Sequence, residues 1–262
     1  MRFYTLSDKG KVRPNNEDYV EGMELSWSGP LGNPQALTSL ILADGMGGAA
    51  AGEFASLLAV RTVRNKLLNG ILNRPPEEIL ATDLKQFLAD CCIEANQAIF
   101  HKSREEPELE GMGTTLVTII VHKESMTIGH VGDSRAYMYR NGKLSQITRD
   151  HSLVQELVDE GKITAQQALT HPNRNIITRA LGVDPVVKPE CDRLPLLPDD
   201  VILLCSDGLH GFAEDCTIKK AFQDMVVENK VNFQGLAQRL IEVAYFGGGG
   251  DNISVALYHH QP

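Results

Sequence analysis

Residues 114–148, TTLVTIIVHKESMTIGHVGDSRAYMYRNGKLSQIT, decide the fold class of this chain. β-branched and other apolar residues crowd the segments 114–123, 125–133, 134–140 and 143–148, and short polar or glycine-bearing turns, among them Asn141-Gly142, separate them. Such runs read as successive strands, and connections this short join only antiparallel neighbours. The stretch is therefore expected to form an antiparallel meander.

Outward from the meander, helices come in pairs. Toward the N-terminus, strands are expected at 3–8 and 37–43. After them Val60, Val63, Leu67 and Ile71 share one helical face, with Gly70 as a stop. Pro75-Pro76 is expected to open a second helix, whose apolar positions run from Ile79 and Leu80 through Leu84, Leu88, Cys91 and Ala95 to Ile99. Toward the C-terminus, Ser152–Gln155 and Thr164–Gln167 match the capping box of two short helices. A strand follows at DVILLCSDG, Asn232 caps a helix striped by Leu236, Ala237, Leu240 and Ile241, and NISVALYH is the last strand. His259 and His260 read as its exposed end. Meanders of strands with paired helices imply α+β layers rather than a doubly wound sheet.

Four aspartates sit where an apolar or glycine-rich run meets a turn: Asp44 in LILADG, Asp133 in IGHVGDS, Asp207 in ILLCSDG and Asp251 in FGGGGDNIS. Each alone is an ordinary turn residue. Brought together they make a carboxylate cage, which requires protonation or hard divalent cations among the oxygens. The chain has no His or Cys spacing of a zinc site, so the donor set favours Mg2+ or Mn2+. In RPNNED, Arg13 offers a planar fork suited to phosphate oxygens, and Glu17 and Asp18 are placed to orient metal-bound water.

Composition narrows the setting. The 262 residues are 42% hydrophobic, with no linker or low-complexity tract, and are expected to form one domain over 1–262. A formal net charge of -9 argues against a nucleic-acid surface, and against a two-metal nuclease. No run approaches the ~18 apolar residues of a membrane span. The five cysteines are odd in number and lie mostly within apolar stretches, as thiols do in a reducing compartment. The expectation is a cytoplasmic protein.

Taken in order, the motifs resemble those of the metal-dependent type 2C Ser/Thr protein phosphatases, in their bacterial form. The likeness rests on R-x-x-N-E-D at 13–18, LADGMGG at 42–48, GMGTT at 111–115, GHVGDSRAY at 129–137, TRDHSLV at 148–154, ITRALG at 177–182, CSDGL at 205–209 and GGGGDNISV at 247–255. It implies a four-layer α-β-β-α sandwich with two antiparallel sheets between helix pairs, and a dinuclear metal centre at one end. Asp44 then corresponds to the bridging carboxylate, with Gly45 lending its carbonyl, and Asp207 and Asp251 to ligands of the second ion. Glu17 and Asp18 correspond to positions that act through metal-bound water. Arg13 corresponds to the phosphate-binding arginine, Asp133 to a ligand shared with Asp207 for a weaker third ion, and Asn252 to a supporting residue.

The implied activity is hydrolysis of phosphoserine and phosphothreonine in proteins, with a Ser/Thr kinase as the opposing partner and the phosphatase acting as a monomer. A catalytically dead binding module of the same fold would lack the carboxylates. Met46 stands where many eukaryotic members carry a histidine proposed as general acid, so the proton donor is unassigned; His151 is expected to orient or cap its neighbours. The segment 152–179 corresponds to a flap beside the active site. Cys205 is expected to pack, with no phosphoenzyme role.

Overall fold

A computed structural model describes residues 2–28, 34–73, 78, 80–227 and 230–261. In chain order its strands are β1 (Phe3–Asp8), β2 (Asp18–Ser28), β3 (Pro34–Met46), β4 (Gly113–Thr114), β5 (Leu116–His122), β6 (Ser125–Val131), β7 (Arg135–Arg140), β8 (Lys143–Gln146), β9 (Glu190–Pro195), β10 (Val201–Cys205), β11 (Val226–Val227), β12 (Lys230–Val231) and β13 (Ile253–His259). The helices are α1 (Ala49–Leu72), α2 (Leu84–Glu105), α3 (Leu153–Asp159), α4 (Ala165–Leu169), α5 (Asp207–His210), α6 (Asp215–Met225) and α7 (Phe233–Phe246).

Two antiparallel sheets carry the architecture, one ordered β1-β13-β10-β7-β8 and the other β2-β3-β5-β6-β9. Strand periodicity explains how they stack. In β3, Leu40 and Leu42 point between the sheets, where they meet Val117, Ile119 and Ile128 of their own sheet and Ile202, Leu204 and Ala256 of the other. The alternate residues Ile41 and Ala43 face outward onto Ala55, Ala59, Val63 and Ala95 of α1 and α2. On the other side Leu203, Cys205, Val255 and Leu257 pack beneath Phe222 of α6 and Leu236 and Leu240 of α7. Layers thus run helix, sheet, sheet, helix, and the expected four-layer sandwich is the observed one. Each fully buried Leu or Ile in these layers contributes about 1.5–3 kcal/mol.

Several local expectations need correction. The meander is not continuous: β5 pairs with β6, and β7 with β8, but β6 and β7 belong to different sheets. The chain crosses between sheets at Gly132-Asp133-Ser134, where Gly132 has φ 104°. The helical stripe expected from Ile79 to Ile99 is not continuous: Glu78 and Leu80 are helical, residues 81–83 are not, and α2 starts afresh at Leu84, where Asp83 caps it by accepting from the Lys85 N–H. The expected opening at Pro75-Pro76 lies, with Ile79, outside the described residues. Gly70 does not stop α1, which continues to Leu72. His259 and His260 are buried, because their N–H groups bond the Arg2 and Asp200 carbonyls.

Strands β2 and β9 were not foreseen. Both mix polar and apolar side chains, being the outer strands of their sheet, and so lack a clean apolar run. The capping signals fared better. Thr164 forms a full capping box with Gln167, and Ser152 accepts from the Gln155 N–H, half of the expected box.

Candidate metal and phosphate site

Antiparallel register brings five carboxylates to one end of the sandwich. Asp18 opens β2 and Asp44 lies near the end of β3, directly opposite it in the ladder. Cys205 ends β10 opposite Arg135 at the start of β7 and Val255 near the start of β13, so Asp207, Asp133 and Asp251 emerge at neighbouring strand ends. The charges of Asp18, Asp207, Asp133 and Asp251 all bear on Asp44.

The site is short of countercharge. Burial raises Asp18 and Asp133 from the ordinary 3.8 to about 7, and Asp207 to about 6, with the neighbouring carboxylates pushing in the same direction. Asp44 is raised well above the ordinary range for the same two reasons, burial first and Asp18 next. Burial also raises Glu17, against the opposing pull of Arg13. Asp18 Oδ1 and Asp133 Oδ1 are buried with no hydrogen-bond partner among the described residues. Buried carboxylate oxygens are ordinarily satisfied. Orphaned oxygens within an oxygen-only set of like charges suit hard divalent cations, so the residues present fit Mn2+ or Mg2+.

Neutral groups hold the cage in place. Asp44 is bracketed by two threonines: its N–H donates to Thr115 Oγ1 at 3.1 Å, and its carbonyl accepts from Thr114 Oγ1 at 2.8 Å. Ser206 Oγ donates to Asp18 Oδ2 at 2.7 Å and accepts from the Ser254 N–H at 3.0 Å. Gly45 is required sterically, since a Cβ there would lie 2.1 Å from the Gly52 carbonyl oxygen of α1. Strand end and helix start can therefore touch through backbone alone.

The loop before β2 is pinned across the molecule. Asn252 is buried; its Oδ1 accepts from the Glu17 N–H, and its Nδ2 donates to the carbonyls of Lys9 and Asn15. All the side-chain contacts of Asn252 thus serve the segment carrying Arg13 and Glu17. Arg13, half exposed at the rim, donates from Nη2 to Asp251 Oδ2 at 2.6 Å.

The nearby histidines are engaged elsewhere. His151 Nδ1 accepts from the Gly132 N–H and His210 Nε2 donates to the Asp133 carbonyl, each at 3.0 Å. Burial lowers His151 to about 4, with His130 adding to the effect, and lowers His210 to about 3. Cys205 is buried and its thiol is pushed far up by burial, which excludes a thiolate nucleophile and matches the packing role expected of it.

Sequence reading named the charged residues but missed Thr114, Thr115, Ser206 and His210 as supports. Thr114 and Thr115 carried a signal, as two hydroxyls at the mouth of a buried strand. Ser206 and His210 carried none beyond lying within three residues of Asp207.

A family model described as protein phosphatase 2C matches residues 31–243. This chain belongs to the protein phosphatase 2C family. Among relatives in that family, it is 41% identical over 259 residues to the serine/threonine protein phosphatase PstP of Mycobacterium tuberculosis, covering 98% of this chain and 44% of the relative. The chain thus spans less than half the length of that relative. It is 36% identical over 251 residues to the serine/threonine phosphatase stp of Listeria monocytogenes, covering 96% of this chain and 92% of the relative. The solved structure of the PstP catalytic domain in complex with 2 manganese ions superposes with a TM-score of 0.78 at 38% identity, covering 100% of this chain and 98% of that one. No helix among the described residues is long and apolar enough to cross a membrane.

Proposed function

We propose that this chain hydrolyses phosphoserine and phosphothreonine monoesters in proteins, with divalent cations in the carboxylate cage. The observation that carries the reading is the meeting of desolvated, partly orphaned carboxylates with a half-exposed arginine at one rim. The names of the phosphatase relatives and the two manganese ions of the PstP structure support it.

In this reading Asp44, the Gly45 carbonyl, Asp207 and Asp251 would hold two ions, and Glu17 and Asp18 would act through water. Asp133 and Asp207 would hold a weaker third ion. When bound, Mn2+ or Mg2+ supplies Lewis acidity that lowers the pKa of water and offsets charge on phosphoryl oxygens.

The chain's own residues do the rest. Arg13 is anchored on Asp251 through one nitrogen, and its fork binds phosphate oxygens with the donors that remain. Asn252 keeps Arg13 and Glu17 in register with Asp251. Met46 carries no transferable proton, and His151 and His210 are bonded to backbone, so no side chain in reach is offered as general acid. Water near the outer carboxylate Asp133 is the remaining source of the proton.

The proposed active unit is a monomer. A Ser/Thr kinase would generate the substrates, and free thiols fit a cytoplasmic setting. The segment 152–179 serves as a flap beside the site, within a single catalytic domain.

The test is Mn2+-dependent hydrolysis of a phosphothreonine peptide, measured beside a phosphodiester and DNA. Turnover of the peptide alone is expected, and it should nearly vanish in Asp207→Asn. Cleavage of DNA or the diester at comparable rates would overturn the assignment.

A further inference from the structure

Histidines hold the turn that delivers Asp133 from two sides. Gly132 is bonded to His151 twice: its N–H donates to His151 Nδ1 at 3.0 Å, and its carbonyl accepts from the His151 N–H at 3.0 Å. The Asp133 carbonyl accepts from His210 Nε2 at 3.0 Å. The turn has little slack, because a Cβ at Gly132 would lie 2.7 Å from the Thr115 side chain.

The first of these contacts fixes a tautomer. Gly132 N–H can only donate, so His151 Nδ1 carries the lone pair and the ring proton sits on Nε2. Two groups face that nitrogen: Glu190 Oε1 at 3.2 Å, which can accept its proton, and Arg179 Nη1 at 2.9 Å, which can only donate and has the Lys188 carbonyl as its acceptor at 2.9 Å. The fixed backbone N–H of Gly132 therefore decides the tautomer, and Glu190 takes the proton. A carboxylate that orients an imidazole, which in turn holds a third group, is the arrangement that sets histidine ligands in metal sites. Here the third group is a backbone amide next to a carboxylate with an orphaned oxygen.

His151 also closes the base of the 152–179 segment. Its carbonyl accepts from the Thr178 N–H at 2.9 Å, while Ser152 bridges to Ile177. The same residue thus touches the returning leg of that segment and the Asp133 turn.

A cation among His130, His151 and Glu190 is the rival use of this cluster, whose ligand-type atoms lie within 4.8 Å of one another. The imidazole rings stack with centroids 4.8 Å apart and an interplanar angle of 15°, so their in-plane lone pairs do not converge. His130 Nε2 is also bonded to the Arg149 carbonyl at 2.9 Å. Commitment of both rings to neighbours favours a relay.

We infer that His151 is a positioning residue: held in one tautomer by Glu190, it fixes the Gly132 peptide, aims Asp133 at the outer cation, and ties that aim to the 152–179 segment. This rests on the reading of Asp133 as an outer ligand.

The experiment compares wild type, His151→Phe, His151→Asn, Glu190→Ala and Asp133→Ala in the full chain. Hydrogen exchange at the Gly132 amide is measured in metal-free protein, and Mn2+ binding is measured by calorimetry. His151→Phe keeps a ring without the acceptor, whereas His151→Asn places Oδ1 where Nδ1 was. His151→Phe should speed Gly132 exchange at least about tenfold and weaken the outer site by about 10- to 100-fold, leaving the two tight sites unchanged. His151→Asn should recover most of both effects, and Glu190→Ala should lie between wild type and His151→Phe.

Unchanged Gly132 exchange or outer-site affinity in His151→Phe overturns the inference, as does an Asn variant no better than Phe. Should His151→Phe not fold, Glu190→Ala decides beside Arg179→Ala, since Glu190 Oε1 also faces Arg179 Nη1 at 3.6 Å: faster Gly132 exchange in Glu190→Ala but not in Arg179→Ala supports the relay, and equal effects overturn it. Retention of the third binding event in Asp133→Ala sinks the ligand reading, and the aim toward metal with it. Loss of that event in Asp133→Ala but not in His151→Phe sinks the relay only.

Discussion

Asp18 and Asp44 stand directly opposite each other in the β2–β3 ladder, two carboxyls at a cross-strand position where like charges repel. Each is raised by burial and by the acidic neighbours around it. The fold therefore holds a pair that destabilises it until a cation or a proton intervenes. Under the proposed metal-binding role, stability and function are in tension at this position.

Asp18→Asn tests that tension. The amide oxygen can still accept from Ser206 Oγ, so the local hydrogen bond survives while one buried charge is removed. The metal-free variant should melt above metal-free wild type at pH 8, and Mn2+ should raise its melting temperature less. Scanning calorimetry with and without chelator checks both shifts. A variant less stable than wild type without metal would show that Asp18 is held by contacts other than those described.

The same carboxyls set a pH dependence in metal-free protein. Asp18 and Asp133 titrate near 7 and Asp207 near 6 when folded, against 3.8 as the ordinary value, so the folded state binds the protons more tightly. Their contribution to stability is fully present below about pH 4 and is lost as pH rises through 6 to 7. Metal-free protein should consequently lose melting temperature over that window, while saturating Mn2+ should remove or reverse the slope. Melting curves from pH 4.5 to 8 give the comparison.

Much of this site could be read from the chain because strand ends that bear carboxylates announce themselves: an apolar run such as ILLC followed by Ser206-Asp207-Gly208 admits few other structures. The inter-sheet core was legible for the same reason, through Leu40, Leu42, Ile202 and Leu204 at period two. What stayed hidden depended on partners far away in sequence. Ser206 looks like any turn serine until β2 brings Asp18 to it, 188 residues distant. The crossing at Gly132–Ser134 looked like a hairpin turn because local sequence does not specify which sheet receives the next strand.

Arg135 illustrates support that is structural. Its guanidinium makes a bidentate pair with Asp150, which is 9% exposed, and donates to the Tyr137 hydroxyl, which donates onward to Asp215. Arg135→Ala leaves the Asp150 carboxylate buried and uncompensated, so unfolding free energy should fall by about 3–5 kcal/mol. Denaturant titration measures it. A loss below about 1 kcal/mol would mean that water replaces the guanidinium without penalty.

Arg13 and Asp251 make the final prediction, because one contact joins the proposed phosphate anchor to a proposed metal ligand at 2.6 Å. Arg13→Ala removes a charge-assisted contact to phosphate worth about 1.5–3 kcal/mol, so KM for a phosphothreonine peptide should rise about tenfold or more. Arg13→Lys should recover only part of this, since an ammonium cannot hold Asp251 and phosphate with one planar fork. Asp251→Asn weakens the anchor as well as the cage, so the further rise in KM from Arg13→Ala should be smaller in that background than in wild type. The cycle is measured as KM and kcat at saturating Mn2+ for the wild type, both single variants and the double. Strictly additive effects would separate the arginine from the aspartate, and an unchanged KM in Arg13→Ala would remove Arg13 from the substrate site.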